Sequence, residues 1–327
     1  MKDIKRKNGY LDLDRYYQEM IEKNNSYPQK LYKDKIIEES SYKAFHFWLN
    51  IKENKYYFKS TTYGLNELIV YYLASKVGLN ALKYDLAIFK GGLGVISKDF
   101  RKESASYHTM NEILKEYSQN NLSMFYNLGL NPNAVNPHLY DMTNLLAFWE
   151  AIENRYKNEA AFNCEKMLNE LVKRYMFNIL IKNHDDFSEN FVIEEKKDEN
   201  GNIINVSFVP IFDSELFLCE KSRIGLAVDY DDSSKSSYES LEYFLKVSDE
   251  KYIKMFLELF EKLDVSALDE ALENIEDQIG FSIYSLIDDD IYEKLVDDFN
   301  ENREHILDVL KRLSIIDERR KIWTKII

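Results

Sequence analysis

The stretch between positions 183 and 213 constrains the fold of this chain more than any other part. It follows an apolar run, and within it Asp185 is followed five positions later by Asn190. Two strand-like segments then flank an Asn-Gly pair at positions 200 and 201, which is a strong signal of a tight hairpin turn. The second segment leads to Asp213. Because a hairpin returns the chain to where it started, we expect Asp213 to approach the loop that holds Asp185 and Asn190.

These three side chains have the chemistry that ATP-dependent phosphoryl transfer requires. In kinases one Asp orients the attacking hydroxyl group, while an Asn and a second Asp hold the Mg²⁺ ions that neutralise the phosphates. The pattern therefore predicts Asp185 as the catalytic base, with Asn190 and Asp213 as metal ligands. Polar clusters between apolar runs are more often simple turns. The apolar lead-in, the spacing and the hairpin together are much more specific than any one of them.

Strand and helix signals alternate in the first hundred residues. Aromatic-rich segments at 42–49 and 55–60 predict a β-hairpin, with Lys59 near the end of its second strand. A helix is predicted over 66–77, and Gly78 is its expected C-cap. This part of the chain therefore has the make-up of a small, strand-rich lobe.

Lys59 and Glu67 each have an ordinary structural explanation. An isolated Lys near a strand end is usually a solvated charge, and a Glu in the first turn of a helix usually interacts with the helix dipole. Taken together, they are candidates for the Lys–Glu ion pair in which the Lys binds the α- and β-phosphates of ATP. A second hairpin is predicted from 84–89 and 94–97, and the chain leaves it through 98–100.

Composition restricts the class of protein. With 327 residues, 45% of them hydrophobic, the chain can bury a large core in one domain or in two lobes. The net charge of -14 argues against a nucleic-acid or anionic-membrane surface as the main partner. Cys164 and Cys219 do not form a disulfide framework, and the sequence shows no signal-peptide pattern and no apolar run of transmembrane length. We therefore expect a soluble, cytoplasmic protein.

From about Ser106 onward the signals are mostly helical. Helices are predicted at 108–117, 142–155, 160–181, 241–245, 251–263, 267–275, 291–299 and 303–313, and a further one before the first hairpin at 13–23. The polar segment 218–237 is predicted to be a surface loop. The order of elements predicts an α+β, bilobal, protein-kinase-like fold. Its small β-rich N-lobe covers 1–100, and its large, mostly helical C-lobe covers 101–327.

These motifs together resemble those of the HipA-type serine/threonine kinases, especially the shorter CtkA-like members. The shared features begin with a helix that carries Glu67 and ends at Gly78, followed by a strand pair that runs into a hinge at 95–100. An Asn-x-Asp-x-x-x-x-Asn loop starts at Asn183, and an apolar-Pro-apolar-aromatic-Asp motif lies at 209–213. The loop and the metal motif are fairly specific in combination.

The resemblance, which covers roughly 40–220, implies a protein Ser/Thr kinase that uses ATP and Mg²⁺, or Mn²⁺ in place of Mg²⁺. It implies the roles given above for the three polar side chains, and it makes Lys59 the ATP-binding lysine. Backbone groups of Lys98, Asp99 and Phe100 would bind adenine. The expected partners are a protein substrate and an antitoxin-type protein, with no direct binding to nucleic acid or membrane. An injected effector is the alternative to a resident cytoplasmic enzyme.

The chain departs from the family pattern in the loop that would cover the phosphates. This loop is expected at 38–43, but no glycine lies between positions 9 and 64, although backbone N–H groups approach phosphate most easily at glycine. Ser41 and Lys43 are the candidate phosphate contacts in it. Some family members autophosphorylate a serine in this loop, so Ser40 and Ser41 are candidate autophosphorylation sites.

Three other functions compete with the protein kinase. A small-molecule kinase of the aminoglycoside or choline type shares the Asp-x4-Asn loop, usually with His where this chain has Asn183. A pseudokinase that acts as a binding module would explain the missing glycines, but the intact Asp185, Asn190 and Asp213 argue against it. A metal nuclease using Asp185, Asp186 and Asp213 is disfavoured by the net negative charge.

Overall fold

Two β-sheets and a set of helices make up the part of the chain that the computed structural model describes. The described residues are 4–7, 9–23, 37–39, 46–60, 64–121, 142–183, 187–214, 230–280, 282 and 289–315. Seven of the described strands form the larger sheet, and three form the smaller one.

The larger sheet is built from the first hundred residues. Its strands are β1 (Arg6–Lys7), β2 (Tyr10–Asp12), β3 (Ile37–Glu39), β4 (His46–Ile51), β5 (Asn54–Ser60), β6 (Tyr84–Phe89) and β7 (Gly92–Lys98). They lie in the order β1-β2-β6-β7-β5-β4-β3, and only β2 and β6 run parallel to each other. The two predicted hairpins are present as β4–β5 and β6–β7, and β7 and β5 lie next to each other near the middle of the sheet.

Alternating side chains explain why β4 and β5 pair in a single register. Phe47, Leu49 and Ile51 of β4 are buried, while the residues between them are half-buried. Phe58 of β5 is fully buried and lies with Phe47 and Phe89 in an aromatic cluster. A register slip of one residue would turn this apolar face toward solvent, so the buried face determines the register.

The N-terminal segment is part of the sheet and not merely a lead-in. Helix α1 (Leu13–Lys23) lies where the sequence predicts it, but the two short strands before it were not predicted. Leu11 of β2 pairs with Ala87 of β6. Asp14, in the first turn of α1, accepts hydrogen bonds from the backbone N–H groups of Lys90 and Gly91 at 2.5 and 2.8 Å. These bonds fix the start of the chain to the β6–β7 turn.

Helix α2 (Gly64–Lys76) starts two residues before the predicted helix and is buried on most of its surface. Leu68, Leu73 and Ala74 are inaccessible to solvent. The helix is followed by Gly78, whose φ of 70° glycine adopts more easily than other residues. The N–H of Leu79 then donates to the carbonyl of Ala74 at 2.9 Å. Burial on several sides indicates that α2 lies between the sheet and the rest of the molecule.

The remaining elements belong to the larger, mostly helical part. They are β8 (Ala105–Thr109), α3 (Met110–Asn120), α4 (Met142–Tyr156), α5 (Cys164–Leu180), a 3-10 turn (Ser188–Asn190), β9 (Val192–Lys197), β10 (Ile203–Phe208), α6 (Tyr230–Val247), α7 (Glu250–Lys262), α8 (Val265–Ile279) and α9 (Asp289–Arg312). Strands β8, β9 and β10 form the smaller sheet. Helix α5 lies at the centre, where Tyr175, Met176 and Phe177 are fully buried. In the described part of the chain, no helix has both the length and the apolar character that crossing a bilayer requires.

The helix predicted over 108–117 is wrong at its start. Residues 105–109 form β8, so His108 belongs to a strand, and α3 begins at Met110. Thr109 is the N-cap, because its hydroxyl accepts a hydrogen bond from the N–H of Glu112 while the Glu112 side chain accepts one from the N–H of Thr109. This capping box, which the sequence contains, fixes the start of the helix.

Two further predictions for the C-terminal part are corrected. The predicted loop over 218–237 is helical from Tyr230 onward, and 215–229 lie outside the described residues. The two helices predicted over 291–299 and 303–313 form the single helix α9. The polar residue at the expected break, Asn302, is buried and donates to the carbonyls of Ile179 and Leu180 at 3.1 and 2.9 Å. It satisfies the C-terminal carbonyl groups of α5, which explains a polar residue inside the bundle.

Candidate active site

Lys59 lies in β5, next to Phe58 of the aromatic cluster. It pairs with Val95 of β7, and the next pair in the register is Ser60 with Gly94. A Cβ atom on Gly94 would collide with the carbonyl oxygen of Lys59 and with the ring of Phe58. Glycine at position 94 therefore allows β7 to approach β5 closely at the point where β5 carries Lys59.

The structure contains an ion pair between Lys59 and Glu67. Lys59 Nζ lies 3.2 Å from Glu67 Oε1, and the two side chains are 8% and 1% exposed. Lys59 comes from the sheet and Glu67 from the first turn of α2, so the pair joins these two elements. The second carboxylate oxygen, Oε2, accepts a hydrogen bond of 3.0 Å from the backbone N–H of Ser214. Glu67 thus contacts both the predicted phosphate-binding lysine and the segment that carries the predicted metal ligand.

The environment of Glu67 disfavours its charged form. Burial raises the pKa of Glu67 above its ordinary value, and the charge of nearby Asp213 acts in the same direction. Lys59 and the N–H of Ser214 oppose the increase in pKa because both stabilise the carboxylate. Glu67 is therefore easier to protonate than an exposed glutamate.

Asp213 completes the group. Its carboxylate forms an ion pair with Lys59, and its side chain is 44% exposed, unlike the two buried side chains behind it. Its φ of 59° places it in the left-handed region, which is uncommon for a residue other than glycine. Asn190 Nδ2 donates to the backbone carbonyl of Asp213 at 3.4 Å. The structure therefore brings both predicted metal ligands, Asn190 and Asp213, to one place beside Lys59.

The segment before Asp213 is fixed by backbone hydrogen bonds to the segment that follows α2. Ile211 N–H donates to the carbonyl of Asn80 at 2.8 Å, and the carbonyl of Ile211 accepts from the N–H of Leu82 at 2.7 Å. Ala81 and Ile211 thus form an isolated parallel bridge. The metal motif is consequently attached to the same chain segment that ends helix α2.

Tyr84, at the start of β6, lies close to the two acidic residues of the site. Its hydroxyl group is 3.5 Å from the backbone nitrogen of Asp213. Burial raises the pKa of Tyr84 well above its usual value, and the charges of Glu67 and Asp213 raise it further. The hydroxyl group therefore stays protonated, and Tyr84 contributes a neutral polar group near two carboxylates.

Arg174 lies behind the metal motif and is almost completely buried. One of its terminal nitrogens donates to Val209 O at 2.6 Å and to Glu170 Oε1 at 2.8 Å. Its Nε has no hydrogen-bond partner in the described part of the chain. A cavity of about 10 Å³, enough for a single water molecule, is lined by Arg174 together with Asn178, Asn183, Asn190, Phe191, Ile211, Phe212 and Ser214.

The predicted hinge follows β7 as expected, but part of it is already used internally. The N–H of Asp99 donates to the carbonyl of Lys55 at 2.9 Å, and the Asp99 carboxylate pairs with Arg101. The ring of Phe100 packs against Phe212 of the metal motif with centroids 5.6 Å apart. Because the Asp99 N–H has an acceptor, adenine binding stays a prediction for the other backbone groups of Lys98, Asp99 and Phe100.

Several predicted site residues fall outside the described part of the chain. These are the candidate base Asp185 with its neighbour Asp186, and Ser40, Ser41 and Lys43 of the phosphate-covering loop. In the described residues, no group of three or more His, Cys, Asp or Glu side chains is arranged to hold a metal ion.

Sequence reasoning missed three residues of the site. Ser214 directly follows the metal motif, and its role depends on its backbone N–H, which any residue has. Tyr84 was predicted only as a strand residue. Arg174 was predicted inside a helix, where the sequence signal was an arginine among apolar neighbours on α5. Such a residue could have been recognised as a buried cation that needs a partner.

Comparison with solved structures identifies the fold. The crystal structure of the Helicobacter pylori proinflammatory kinase CtkA matches with a TM-score of 0.55 at 15% identity, over 84% of this chain and 95% of that chain. The predicted bilobal, kinase-like fold class is therefore confirmed, and the predicted resemblance to CtkA-like proteins is confirmed for the fold.

Two other structures are similar at lower scores. HipA from Shewanella oneidensis MR-1, in a complex with HipB and operator DNA, gives a TM-score of 0.43 at 15% identity, over 93% of this chain and 72% of that chain. APH(2″)-IIia, in a complex with GDP and kanamycin, gives 0.22 at 12% identity, over 86% and 99%. No protein-family model and no curated protein sequence matches the chain.

Proposed function

We propose that this protein is an ATP-dependent kinase that transfers the γ-phosphoryl group of ATP to a Ser or Thr hydroxyl group of a protein substrate. The observation that carries the proposal is the convergence of Lys59, Glu67 and Asp213 from a strand, a helix and the segment after a hairpin. Lys59 and Glu67 are buried, whereas the carboxylate of Asp213 is partly exposed. A ligand can therefore reach Asp213 and meet the ammonium group of Lys59 directly behind it.

The donor set fits Mg²⁺ bound to ATP. Mg²⁺ prefers oxygen ligands and usually binds through one or two carboxylates together with the phosphates of its substrate. Asp213 would supply a carboxylate and Asn190 an amide oxygen, and these residues are adjacent in the structure. Mn²⁺ accepts the same oxygen ligands.

Each residue has a defined task in the proposed reaction. When bound, ATP would supply the transferable phosphoryl group, and Mg²⁺ would neutralise the charge of the phosphates. Lys59 would hold the phosphate oxygens through its ammonium group, and Glu67 keeps Lys59 in place by its buried ion pair. Asp185 would orient the acceptor hydroxyl group and take up its proton, as the sequence pattern predicts.

The proposal is tested by intact-mass spectrometry after incubation with ATP and Mg²⁺. We expect the native chain to gain phosphate, and we expect the Asp213→Asn and Lys59→Met variants to gain none. Mapping the modified residue would test Ser40 and Ser41. In parallel, radiolabelled ATP would be offered with Ser- and Thr-containing proteins and, separately, with aminoglycosides and choline. Labelling of small molecules but of no protein would favour the small-molecule kinase.

Thermal unfolding with and without Mg²⁺–ATP distinguishes the kinase from a binding module without nucleotide chemistry. A ligand present at a hundred times its Kd stabilises the folded state by about 2.7 kcal/mol. We expect a rise in melting temperature for the native chain that is lost in Lys59→Met. No rise at millimolar ATP, together with no phosphate transfer, would contradict the proposed activity and favour a pseudokinase.

A further inference from the structure

Helix α8, far from the site in sequence, packs directly against α2. Its residues Ala271, Leu272 and Ile275 are buried in the same core as the apolar residues of α2. Glu67 and Tyr72 are five residues apart on α2, which places them about 140° apart around a helix of 3.6 residues per turn. Glu67 contacts Lys59, while Tyr72 contacts α8. Helix α2 therefore lies between the site and the C-terminal helices.

Gln278 is the residue of α8 that makes most of the polar contacts in this region. Its Oε1 accepts a hydrogen bond of 3.0 Å from the hydroxyl of Tyr72. Its Nε2 donates to the carbonyl of Tyr84 at 3.0 Å and to Asp85 Oδ1 at 2.8 Å. The Tyr72 hydroxyl is also 3.3 Å from the carbonyl of Asn274. One side chain thus joins α8 to both α2 and the start of β6.

These contacts lead to the site by two short routes. Tyr72 belongs to the helix that carries Glu67. Tyr84, whose carbonyl accepts from Gln278, faces the backbone nitrogen of Asp213 with its hydroxyl group. At the C-terminal end of α2, Lys76 forms an ion pair with Glu270 of α8. Because the contacts with α8 extend over the second half of α2, they restrict both its rotation and its displacement from the sheet.

We propose that α8 is a built-in brace for α2, and that Gln278 and Tyr72 are positioning residues that keep Glu67 engaged with Lys59 and with the N–H of Ser214. The inference rests on the proposed kinase function for its catalytic consequence, but the engagement of Glu67 can be measured without catalysis. In this arrangement the C-terminal helices take part in positioning the site, which α8 reaches through the hydrogen bond from Gln278 to the carbonyl of Tyr84.

Gln278→Glu is the sharpest test, because it preserves side-chain size and the acceptor for Tyr72. It removes the donor to Tyr84 and places a carboxylate beside Asp85. The second substitution, Asp85→Asn, restores a donor opposite the new carboxylate. Tyr72→Phe removes one hydroxyl group from the same contact. Tyr252→Phe is a matched control, since Tyr252 of α7 donates to Asn169 of α5 at 3.3 Å in a helix contact away from α2.

The first readout is hydrogen–deuterium exchange of α2 and of the peptide that contains Ser214. We expect Gln278→Glu to increase exchange of both about tenfold, the equivalent of one lost buried hydrogen bond. Adding Asp85→Asn to Gln278→Glu should lower the exchange rate of both peptides again, by about threefold. Tyr252→Phe should leave both peptides unchanged. Unchanged exchange in Gln278→Glu and in Tyr72→Phe would overturn the brace.

The second readout is steady-state release of phosphate from ATP, with water as the acceptor. For Gln278→Glu and Tyr72→Phe we expect kcat to fall about five- to tenfold while KM for ATP changes less than about twofold, because orientation of the phosphates is affected more than binding. Increased exchange with unchanged kcat would refute the positioning role. If the native chain neither releases nor transfers phosphate but exchange responds as expected, the brace stands and the proposed activity fails.

Discussion

The backbone N–H of Ser214 donates to the buried carboxylate of Glu67, whose other oxygen pairs with Lys59. Strand β5, helix α2 and a segment that follows Glu67 by 147 residues therefore meet at one carboxylate. Both oxygens of Glu67 act as acceptors, so this position requires a side chain with two acceptors. A side chain with one acceptor and one donor cannot replace it.

We predict that Glu67→Gln lowers kcat at least about tenfold, because the amide group of glutamine would face either Lys59 or the Ser214 N–H with a donor. The substitution preserves volume, so the fold should be retained. The measurements are kcat for phosphate release and exchange of the Ser214 amide, which should increase. Glu112→Gln is a control, because it replaces an exposed carboxylate in the capping box of α3. A Glu67→Gln enzyme with native kcat would contradict this role.

The raised pKa of Glu67 predicts a pH dependence of stability. The folded state holds a proton on Glu67 more tightly than the unfolded state, whose value is near 4.5. As pH rises above 4.5 toward the folded-state pKa, Glu67 loses its proton in the unfolded state before it does so in the folded state. The free energy of unfolding therefore falls, by about 1.4 kcal/mol for each unit of pKa difference.

The native chain should therefore lose stability relative to Glu67→Gln as pH rises through this window, and the difference should become constant above it. Urea unfolding of both proteins at several pH values above 4.5 measures the effect. A difference that stays constant, or that favours the native chain as pH rises, would show that Lys59 and Ser214 outweigh burial.

Gly94→Ala should destabilise the protein and displace β5. A Cβ atom at this position would collide with the backbone of Lys59, which cannot move without breaking the pairing with β7. Overpacking of this kind costs about 1–3 kcal/mol, and we also expect weaker binding of Mg²⁺–ATP in a thermal-shift titration.

Gly91→Ala is a matched control in the same hairpin. No atom in the described part of the chain lies within 4 Å of the added Cβ, and the strain comes only from its φ of 72°. It should cost about 1 kcal/mol without changing nucleotide binding. Equal effects of both substitutions on nucleotide binding would refute a specific role for the close approach at Gly94.

Arg174→Met should destabilise the protein by about 3 kcal/mol, because it removes the donor to Val209 and leaves its carbonyl and Glu170 without the guanidinium group. Glu170→Gln should cost about 1–3 kcal/mol, since it leaves the buried guanidinium of Arg174 with a neutral acceptor in place of a carboxylate. Urea unfolding compares the two. An Arg174 substitution with no effect on stability would contradict this account. We also expect a crystal structure to contain a water molecule bonded to Arg174 Nε in the cavity lined by Arg174 and Asn190.

The hairpins β4–β5 and β6–β7 and the helix α2 were predictable because each is defined by local periodicity and by turn or cap residues. Lys59 and Glu67 could be nominated from these local patterns. Their contact with each other and with Asp213 depends on three elements packing together, which no spacing encodes directly. The segment after α2 shows the limit most clearly, because its pairing with Ile211 joins positions more than a hundred residues apart.

The errors have similar causes. Asn302 lies between the two helices predicted at 291–299 and 303–313, but it belongs to the continuous helix α9, from which it donates to the end of α5. His108 is the first residue of the helix predicted at 108–117, but it belongs to β8, which pairs with β9. In both cases a partner that is distant in sequence decided the local structure.

The backbone hydrogen bonds between Ile211 and the segment after α2 also bear on how the molecule is made. A nascent chain that has emerged only as far as the larger sheet carries Lys59, Glu67 and the segment at 80–82, but it lacks Ile211 and Asp213. The site cannot assemble until synthesis has passed residue 214. On the ribosome, the larger sheet would be complete well before the proposed active site could form.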